Sequence, residues 1–268
     1  MELNEILTIA VKARGSDVHI KTGLPPIVRI DGKLHPIPNA QRLGPDVVAS
    51  IANMMMNDRQ RRIFEENSEV DMAYAVPGLG RFRVACYRQR GTIALVFRAI
   101  SMKIPTMEEL NLPPVLKKLC AEERGLILVT GTTGSGKSST LAAMINEINN
   151  SRTSNIITIE DPVEFLHRDN KCIISQREVG TDTPTFSSAL KGALRQDPDV
   201  ILVGEMRDYE TIETAMTAAE TGHLVMSTLH TMDAPETINR IISVFPPYHQ
   251  RQVRIQMASI IKGIISQR

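Results

Sequence analysis

Eight consecutive residues near the middle of the chain have the composition of a loop that binds phosphate. Residues 131–138 have the sequence Gly-Thr-Thr-Gly-Ser-Gly-Lys-Ser, which fits the pattern G-x-x-x-x-G-K-[ST] at every position. Glycines in this pattern let the backbone curl so that its N–H groups point at phosphate oxygens, and the N-terminus of a following helix adds positive charge. The loop therefore predicts a site for a nucleoside triphosphate.

Two side chains of this loop have separate expected roles. Lys137 is expected to reach the β and γ phosphates, and the hydroxyl of Ser138 is expected to bind Mg²⁺. The predicted nucleotide-binding residues are Gly131, Thr132, Thr133, Gly134, Ser135, Gly136, Lys137, Ser138 and Ser139.

A carboxylate follows a second apolar run. Residues 200–203 are Val-Ile-Leu-Val, and Gly204 and Glu205 come directly after them. Ligands of α/β proteins bind at the carboxyl ends of the strands, so Glu205 is expected near the phosphates. With Ser138 it forms the predicted metal site, Glu205 acting on the water shell of the ion. Many core strands end in an acidic residue, so an apolar run followed by Glu205 would not predict a site by itself. The prediction depends on the phosphate loop being present in the same chain.

A second acidic group follows the apolar run 156–159. It consists of Glu160, Asp161 and Glu164, and Pro162 makes the chain turn between them. Hydrolysis requires a group that orients or deprotonates the attacking water. Glu164 is the first candidate for this base and Glu160 the second, and the alternative is that these are solvated loop acids.

Two histidines flank the apolar run 224–229. His223 follows Gly222 at the end of a predicted helix, and His230 comes directly after the run. Either histidine alone is typical of a structural residue. If the run is a strand of the same sheet, His230 lies at the end that faces the γ-phosphate and can donate a hydrogen bond to it.

Three arginines precede the phosphate loop by many residues. Arg81 and Arg83 share one face of a predicted strand by the two-residue alternation, and Arg98 lies on the next strand. Two interpretations stay open. The arginines form a solvated face, or they reach the triphosphate of a neighbouring subunit, where a guanidinium stabilises transition-state charge.

The elements that position these residues fall into two groups. The first group of elements indicates a small α+β domain over residues 1–100. Its expected elements are an amphipathic helix at 3–11 ended by Gly15, strands at 17–21 and 27–30 with a turn at Asp31-Gly32 before Leu34, a helix over 45–66, and strands at 81–90 and 92–100.

The second group begins after a proline-containing stretch. Residues 101–114 include Pro105, Pro113 and Pro114 and predict a linker. Over residues 115–268, four short apolar runs alternate with helical patterns, which predicts buried strands of an α/β domain. These runs are residues 126–129, 156–159, 200–203 and 224–229.

Composition excludes several classes of protein. The chain has 268 residues, 42% hydrophobic, and a formal net charge of +1, which fits a soluble globular protein and argues against a nucleic-acid partner. Cys86, Cys120 and Cys172 form no C-x-x-C pair, so neither a disulfide framework nor a zinc cluster is expected, and a reducing cytoplasm fits best. Glu2, Glu5 and the lack of a run of roughly 18 apolar residues predict neither export nor membrane insertion.

Taken together, these motifs resemble the secretion ATPase superfamily, and most closely the type IV pilus retraction ATPases of the PilT family. The resemblance covers nearly the whole chain. It rests on residues 15–19 (Gly-Ser-Asp-Val-His), the phosphate loop, an aspartate box at 159–164, a Walker B segment at 204–208, and a histidine box spanning 219–223 and 229–231.

The resemblance implies a RecA-like ATPase domain preceded by a PAS-like domain, assembled as a homohexameric ring. It further implies a cytoplasmic motor at the inner-membrane base of the pilus, docked on a polytopic platform protein and acting indirectly on pilin. Within it, Lys137 and Ser138 bind phosphate and Mg²⁺, Glu164 is the base, Glu205 serves the metal and His230 senses the γ-phosphate. By the same resemblance, the arginines that contact nucleotide are Arg81, Arg83 and Arg98.

One departure and three alternatives remain. The chain stops at Arg268, in or just after a predicted apolar helix containing Ile260, Ile261, Ile264 and Ile265, whereas the family continues into a helical region. We therefore expect that residues are missing and that a stable ring and retraction are not assured. The alternatives are a pilus-assembly or type II secretion ATPase, a nucleotide-binding regulator without motor activity, and a DNA translocase, which the near-neutral charge disfavours.

Overall fold

The computed structural model describes residues 1–100 and 104–268, so positions 101–103 of the predicted linker lie outside the described residues. The chain divides into two compact units, Met1–Ser101 and Met102–Arg268. Each unit has a six-stranded sheet of its own.

The first unit is built on an antiparallel sheet with strand order β3-β2-β1-β6-β5-β4. Its elements are α1 (Leu3–Lys12), β1 (Asp17–Lys21), β2 (Ile27–Ile30), β3 (Lys33–Pro36), α2 (Pro45–Met55), α3 (Asp58–Asn67), β4 (Glu69–Val76), β5 (Gly80–Gln89) and β6 (Thr92–Ala99). The predicted α+β class is confirmed. At the turn between β2 and β3, Asp31 and Gly32 have φ angles of 47° and 78°, as a two-residue hairpin turn requires.

One predicted helix of this unit is wrong in its extent. The expected helix over residues 45–66 is two helices, because Met56 is extended and buried and ends α2. Asn57 then starts α3, since its side chain accepts a hydrogen bond from the backbone N–H of Gln60. Strand β4, which follows α3, has no counterpart in the sequence-based prediction.

The second unit is a parallel sheet with strand order β12-β7-β11-β10-β8-β9 and helices packed on it. Its elements are α4 (Val115–Cys120), β7 (Gly125–Gly131), α5 (Lys137–Ser151), β8 (Asn155–Glu160), β9 (Ile173–Glu178), α6 (Phe186–Ala193), β10 (Val200–Val203), α7 (Tyr209–Glu220), β11 (Leu224–Leu229), α8 (Ala234–Val244), α9 (Gln250–Ile260) and β12 (Ile261–Gln267). The four predicted buried strands correspond to β7, β8, β10 and β11, which confirms the α/β class.

Alternating side chains of these strands enter two separate cores, one on each face of the sheet. Leu126 and Leu128 of β7 pack in one core, and Ile127 and Val129 pack in the other. A sheet covered on both faces requires continuous apolar strands, which explains why β7, β10 and β11 are buried along their whole length.

The predicted apolar helix at the end of the chain is wrong beyond Ile260. Helix α9 ends there, and the next seven residues form β12, which pairs in parallel with β7. Ile264 packs against one core and Ile265 against the other, an arrangement that a strand satisfies and a helix does not. Two-sided packing therefore decides the structure of this segment.

A helix that crosses a bilayer must be both long and apolar. Within residues 1–100 and 104–268, no helix has both the length and the apolar character needed to cross a bilayer.

Candidate functional site

The carboxyl ends of the parallel strands meet at one edge of the second unit, and a cavity of about 510 Å³ lies there. Its wall contains the phosphate loop, the acidic segment after β8, Glu205 after β10 and His230 after β11. The lining residues are Thr133, Gly134, Gly136, Lys137, Ser138, Ser139, Leu141, Ala142, Glu160, Asp161, Pro162, Glu164, Phe165, His167, Phe186, Leu202, Gly204, Glu205, Arg207, Thr228 and His230.

The phosphate loop connects β7 to α5 through backbone conformations that need glycine. Gly136, which immediately precedes α5, has φ 92°. Gly131 ends β7 with φ 147°, and a Cβ there would lie 2.3 Å from the carbonyl oxygen of Gln267 on β12. The first glycine is thus required by the neighbouring strand, and the last one by the sharp entry into the helix.

Lys137 is the first residue of α5 and is only 8% exposed. Its Nζ donates hydrogen bonds to the carbonyl oxygens of Gly131 (3.0 Å) and Thr132 (2.8 Å). Burial lowers the pKa of Lys137, because a desolvated ammonium is less stable, while the carboxylates of Glu164 and Glu205 act in the opposite direction. Both of these acids are therefore close enough to interact electrostatically with the lysine.

Glu205 directly follows a point at which two strands approach each other closely. A Cβ at Gly204 would lie 3.2 Å from the carbonyl oxygen of Ile159, so β8 and β10 approach closely at this point. The Glu205 carboxylate lies 2.8 Å from the guanidinium of Arg207 and 3.7 Å from Nε2 of His230. The structure thus places Glu205 and His230 together.

Glu160 and Glu164 have different surroundings. The Glu160 carboxylate accepts hydrogen bonds from Thr158 Oγ1 (2.6 Å) and Gln176 Nε2 (3.1 Å), and burial raises its pKa despite these bonds. Glu164 is exposed at the cavity wall. Of the two candidate bases, Glu164 is the more exposed.

The two histidines lie at opposite ends of β11. His230 is exposed and follows the strand at the edge where the phosphate loop lies. His223 precedes the strand, and its Nδ1 lies 2.9 Å from the carbonyl oxygen of Ala218, which gives it a structural contact at the end of α7.

The three arginines belong to the first unit, whereas all residues that line the cavity belong to the second. Arg83 and Arg98 are directly opposite each other on β5 and β6. Arg83 forms an ion pair of 3.0 Å with Asp71, and the Nε of Arg98 lies 2.9 Å from the buried carboxylate of Asp17. Arg81 lies two residues before Arg83 on β5. A contact of these arginines with nucleotide stays a prediction.

Several residues of the cavity and its wall had not been predicted. Arg207 lies within a motif recognised in the sequence and Phe165 directly follows another, but only the structure shows that they line the cavity. His167 also lines it, and burial lowers its pKa to about 4, so its ring is neutral at pH 7. Gln176 lies behind the wall on β9, where no pattern in the sequence indicated a strand.

The predicted magnesium ligands fit a hard cation. Ser138 and Glu205 offer a hydroxyl and a carboxylate to the same cavity, and oxygen is the donor atom that Mg²⁺ prefers. Over the part of the chain that the structure describes, no group of three or more His, Cys, Asp or Glu side chains could hold a metal ion. Mg²⁺ is commonly bound by one or two protein groups together with substrate phosphates.

The whole chain, residues 1–268, matches the family model described as type II/IV secretion system protein. It is 49% identical over 267 residues to the type IV pilus retraction ATPase PilT of Pseudomonas aeruginosa, covering all of this chain and 77% of that protein. It is 44% identical to the type IV pilus ATPase PilU of the same organism, covering 70% of PilU. The crystal structure of the pilus retraction motor PilT with bound ADP is 48% identical, with a TM-score of 0.94 over the whole chain and 78% of that structure.

Proposed function

Because this chain belongs to the type II/IV secretion system protein family and is one of its ATPases, we propose that it hydrolyses ATP to power the retraction of type IV pili. The observation that carries the proposal is the cavity in which a complete phosphate loop faces Glu164, Glu205 and His230. A passive nucleotide binder needs the loop but has no need of these three groups around it.

Each group has a defined part in this proposal. The backbone amides of the loop and Lys137 bind the phosphates of ATP, whose charge replaces the carbonyl partners of the lysine. Glu164 orients and deprotonates the attacking water. His230 donates a hydrogen bond to the γ-phosphate, and its Nε2 lies 3.7 Å from the Glu205 carboxylate.

Ser138 and Glu205 are the residues that would hold Mg²⁺, Glu205 by way of the water shell. When bound, the ion neutralises part of the charge on the phosphates. The ADP reported for the PilT structure supports a nucleotide in the corresponding cavity of this chain.

The direction of the motor rests on the named relatives. The name of PilT includes retraction and that of PilU gives no direction, so pilus assembly remains the second candidate. Within the proposal, the protein is a cytoplasmic homohexamer at the pilus base that contacts a membrane platform protein and acts indirectly on pilin. Arg81, Arg83 and Arg98 are then candidates for contact with the nucleotide of a neighbouring subunit.

The ATPase part is tested by phosphate release from the purified protein with Mg²⁺ and ATP. Turnover is expected for the wild type and a near-complete loss for Lys137→Ala and Glu164→Ala. An intact assembly that binds ATP and releases no phosphate would show that the protein is a regulator.

The retraction part is tested in a deletion strain of the organism that carries the gene. Loss of a retraction motor is expected to leave abundant pili and no twitching motility, and restoration should require Lys137. A strain without surface pili would instead identify an assembly ATPase.

A further inference from the structure

The segment after β8 carries the proposed base, and it has no regular secondary structure of its own. Residues 161–172 contain no named helix or strand. An exposed loop residue is a poor place for a base, because a displacement of about 1 Å can reduce turnover roughly a hundredfold. Some other part of the fold must fix the position of Glu164.

Strand β9 provides the fixing groups. Gln176 and Glu178 are two residues apart on this strand and lie opposite Thr158 and Glu160 of β8. The Glu178 carboxylate accepts a hydrogen bond from the backbone N–H of Val163 at 3.1 Å. Gln176 contacts the same segment two and four residues further along.

Both the nitrogen and the oxygen of the Gln176 side-chain amide form hydrogen bonds. Its Nε2 donates to the carboxylate of Glu160 (3.1 Å) and to the carbonyl oxygen of Phe165 (2.9 Å), and its Oε1 accepts from the backbone N–H of His167 (2.8 Å). A carbonyl can only accept and an N–H can only donate, so the backbone partners determine which way the amide is oriented. A carboxylate or a hydrocarbon at position 176 cannot reproduce this pattern.

The bonded backbone groups lie on alternate residues and leave Glu164 between them. Val163, Phe165 and His167 are tied to β9, while the side chain of Glu164 is exposed at the cavity and acts on the Lys137 ammonium. The Glu160 carboxylate joins Thr158 and Gln176 inside the wall.

We propose that Gln176 is a positioning residue for ATP hydrolysis, its amide tying Glu160 to the backbone of Phe165 and His167 so that Glu164 faces the phosphate loop. This inference rests on the proposed role of Glu164 as the base. In it, Glu160 anchors the segment and is not the residue that activates water.

The test compares Gln176→Leu with Ser175→Ala, an exposed neighbour on the same strand. Gln176→Leu is expected to lower kcat by about 10- to 100-fold and to leave the Kd for ADP within about threefold. Hydrogen exchange of residues 164–167, measured by mass spectrometry, should become faster. Ser175→Ala should match the wild type in all three measurements.

A double variant separates positioning from general damage. Because Gln176 acts through Glu164, Glu164→Ala with Gln176→Leu should be no slower than Glu164→Ala alone. If Gln176→Leu fails to fold, Gln176→Glu keeps the acceptor for His167 and loses both donors, and it should still lower kcat.

Three results would overturn the positioning role: a kcat of Gln176→Leu within threefold of wild type, an unchanged exchange rate, or fully additive losses in the double variant. A loss of ADP affinity as large as the loss of kcat would also overturn it. Wild-type protein that binds ATP without turnover would overturn the proposed function itself, and this outcome is distinguishable because the exchange measurement does not depend on activity.

Discussion

The phosphate loop and the acidic segment at 160–167 face the same cavity, but the fold builds them in different ways. Most of the loop is defined by local bonds, with Gly136 at the entry to α5 and Lys137 bonded to carbonyls five and six residues away in sequence, and its first glycine lies against β12. The acidic segment is held by side chains of β9, which come after it in the chain by up to fifteen residues.

This difference separates two functions of one site. A loop whose bonds are local can keep its conformation when its surroundings change, which suits the binding of a charged tail. A segment held by a few side chains from an edge strand depends on that strand, which suits a step that must be controlled. We therefore expect changes in the loop to affect nucleotide affinity and changes around the acidic segment to affect turnover.

The largest effect is expected in the loop. Lys137→Ala removes the buried cation that we propose contacts phosphate, and charge-assisted hydrogen bonds are each worth about 1.5–3 kcal/mol. We expect the Kd for ATP to rise on the order of 10³-fold in isothermal titration. If Lys137→Ala binds ATP with a Kd within tenfold of wild type, the loop is not the region that determines nucleotide affinity.

The next effect is expected at the base. Glu164→Gln should lower kcat by on the order of 10², since general base catalysis contributes about that much or more. The matched substitution Glu160→Gln keeps an oxygen that can accept from Thr158 and Gln176, and we expect a loss of no more than about tenfold. Single-turnover phosphate release measures the rate loss of both variants. A larger loss for Glu160→Gln than for Glu164→Gln would identify Glu160 as the base.

A smaller effect is expected where β8 and β10 approach each other. In Gly204→Ala the new Cβ would lie 3.2 Å from the carbonyl oxygen of Ile159 and 3.4 Å from Cα of Glu160, so the strand ends must move apart by a few tenths of an ångström. We expect kcat to fall about tenfold with ADP affinity unchanged, because the misalignment concerns Glu205 and the acidic segment. Equal losses in kcat and affinity would show that the loop depends on these strands as well.

The smallest effect concerns stability and pH. Burial raises the pKa of Glu160, so above the ordinary pKa of 4.5 the unfolded chain releases this proton more readily than the folded one. The wild type therefore loses stability as pH rises from 4.5 through the folded pKa, and Glu160→Gln does not. The melting temperature of the variant relative to wild type should rise by a few degrees between pH 4 and 7. A difference in melting temperature between variant and wild type that stays constant from pH 4 to 7 would contradict the raised pKa of Glu160.

The sequence predicted the parts of this site whose signals are local. The loop, the strands β7, β8, β10 and β11, and the positions of Glu205 and His230 follow from apolar runs and the residues after them. Strand β9 was missed because it is an edge strand whose exposed and half-buried residues, such as Ser175 and Gln176, carry no apolar pattern. The partners of Gln176 could not be predicted either, because they are set by strand register.

The end of the chain shows a different limit. The spacing of Ile260, Ile261, Ile264 and Ile265 suits one face of a helix, and it equally suits a strand buried on both sides. Only the place of β12 beside β7, with a core above and below, distinguishes the two. Local spacing carries no information about such a neighbour.

The close approach of Gly131 to the carbonyl oxygen of Gln267 joins the phosphate loop to the end of the chain. A side chain at position 131 would have to displace β12 from β7, and it would also meet Ser135 Oγ at 2.6 Å with a φ of 147°. One glycine therefore lets the last strand lie against β7 and lets the loop begin its turn at the same residue.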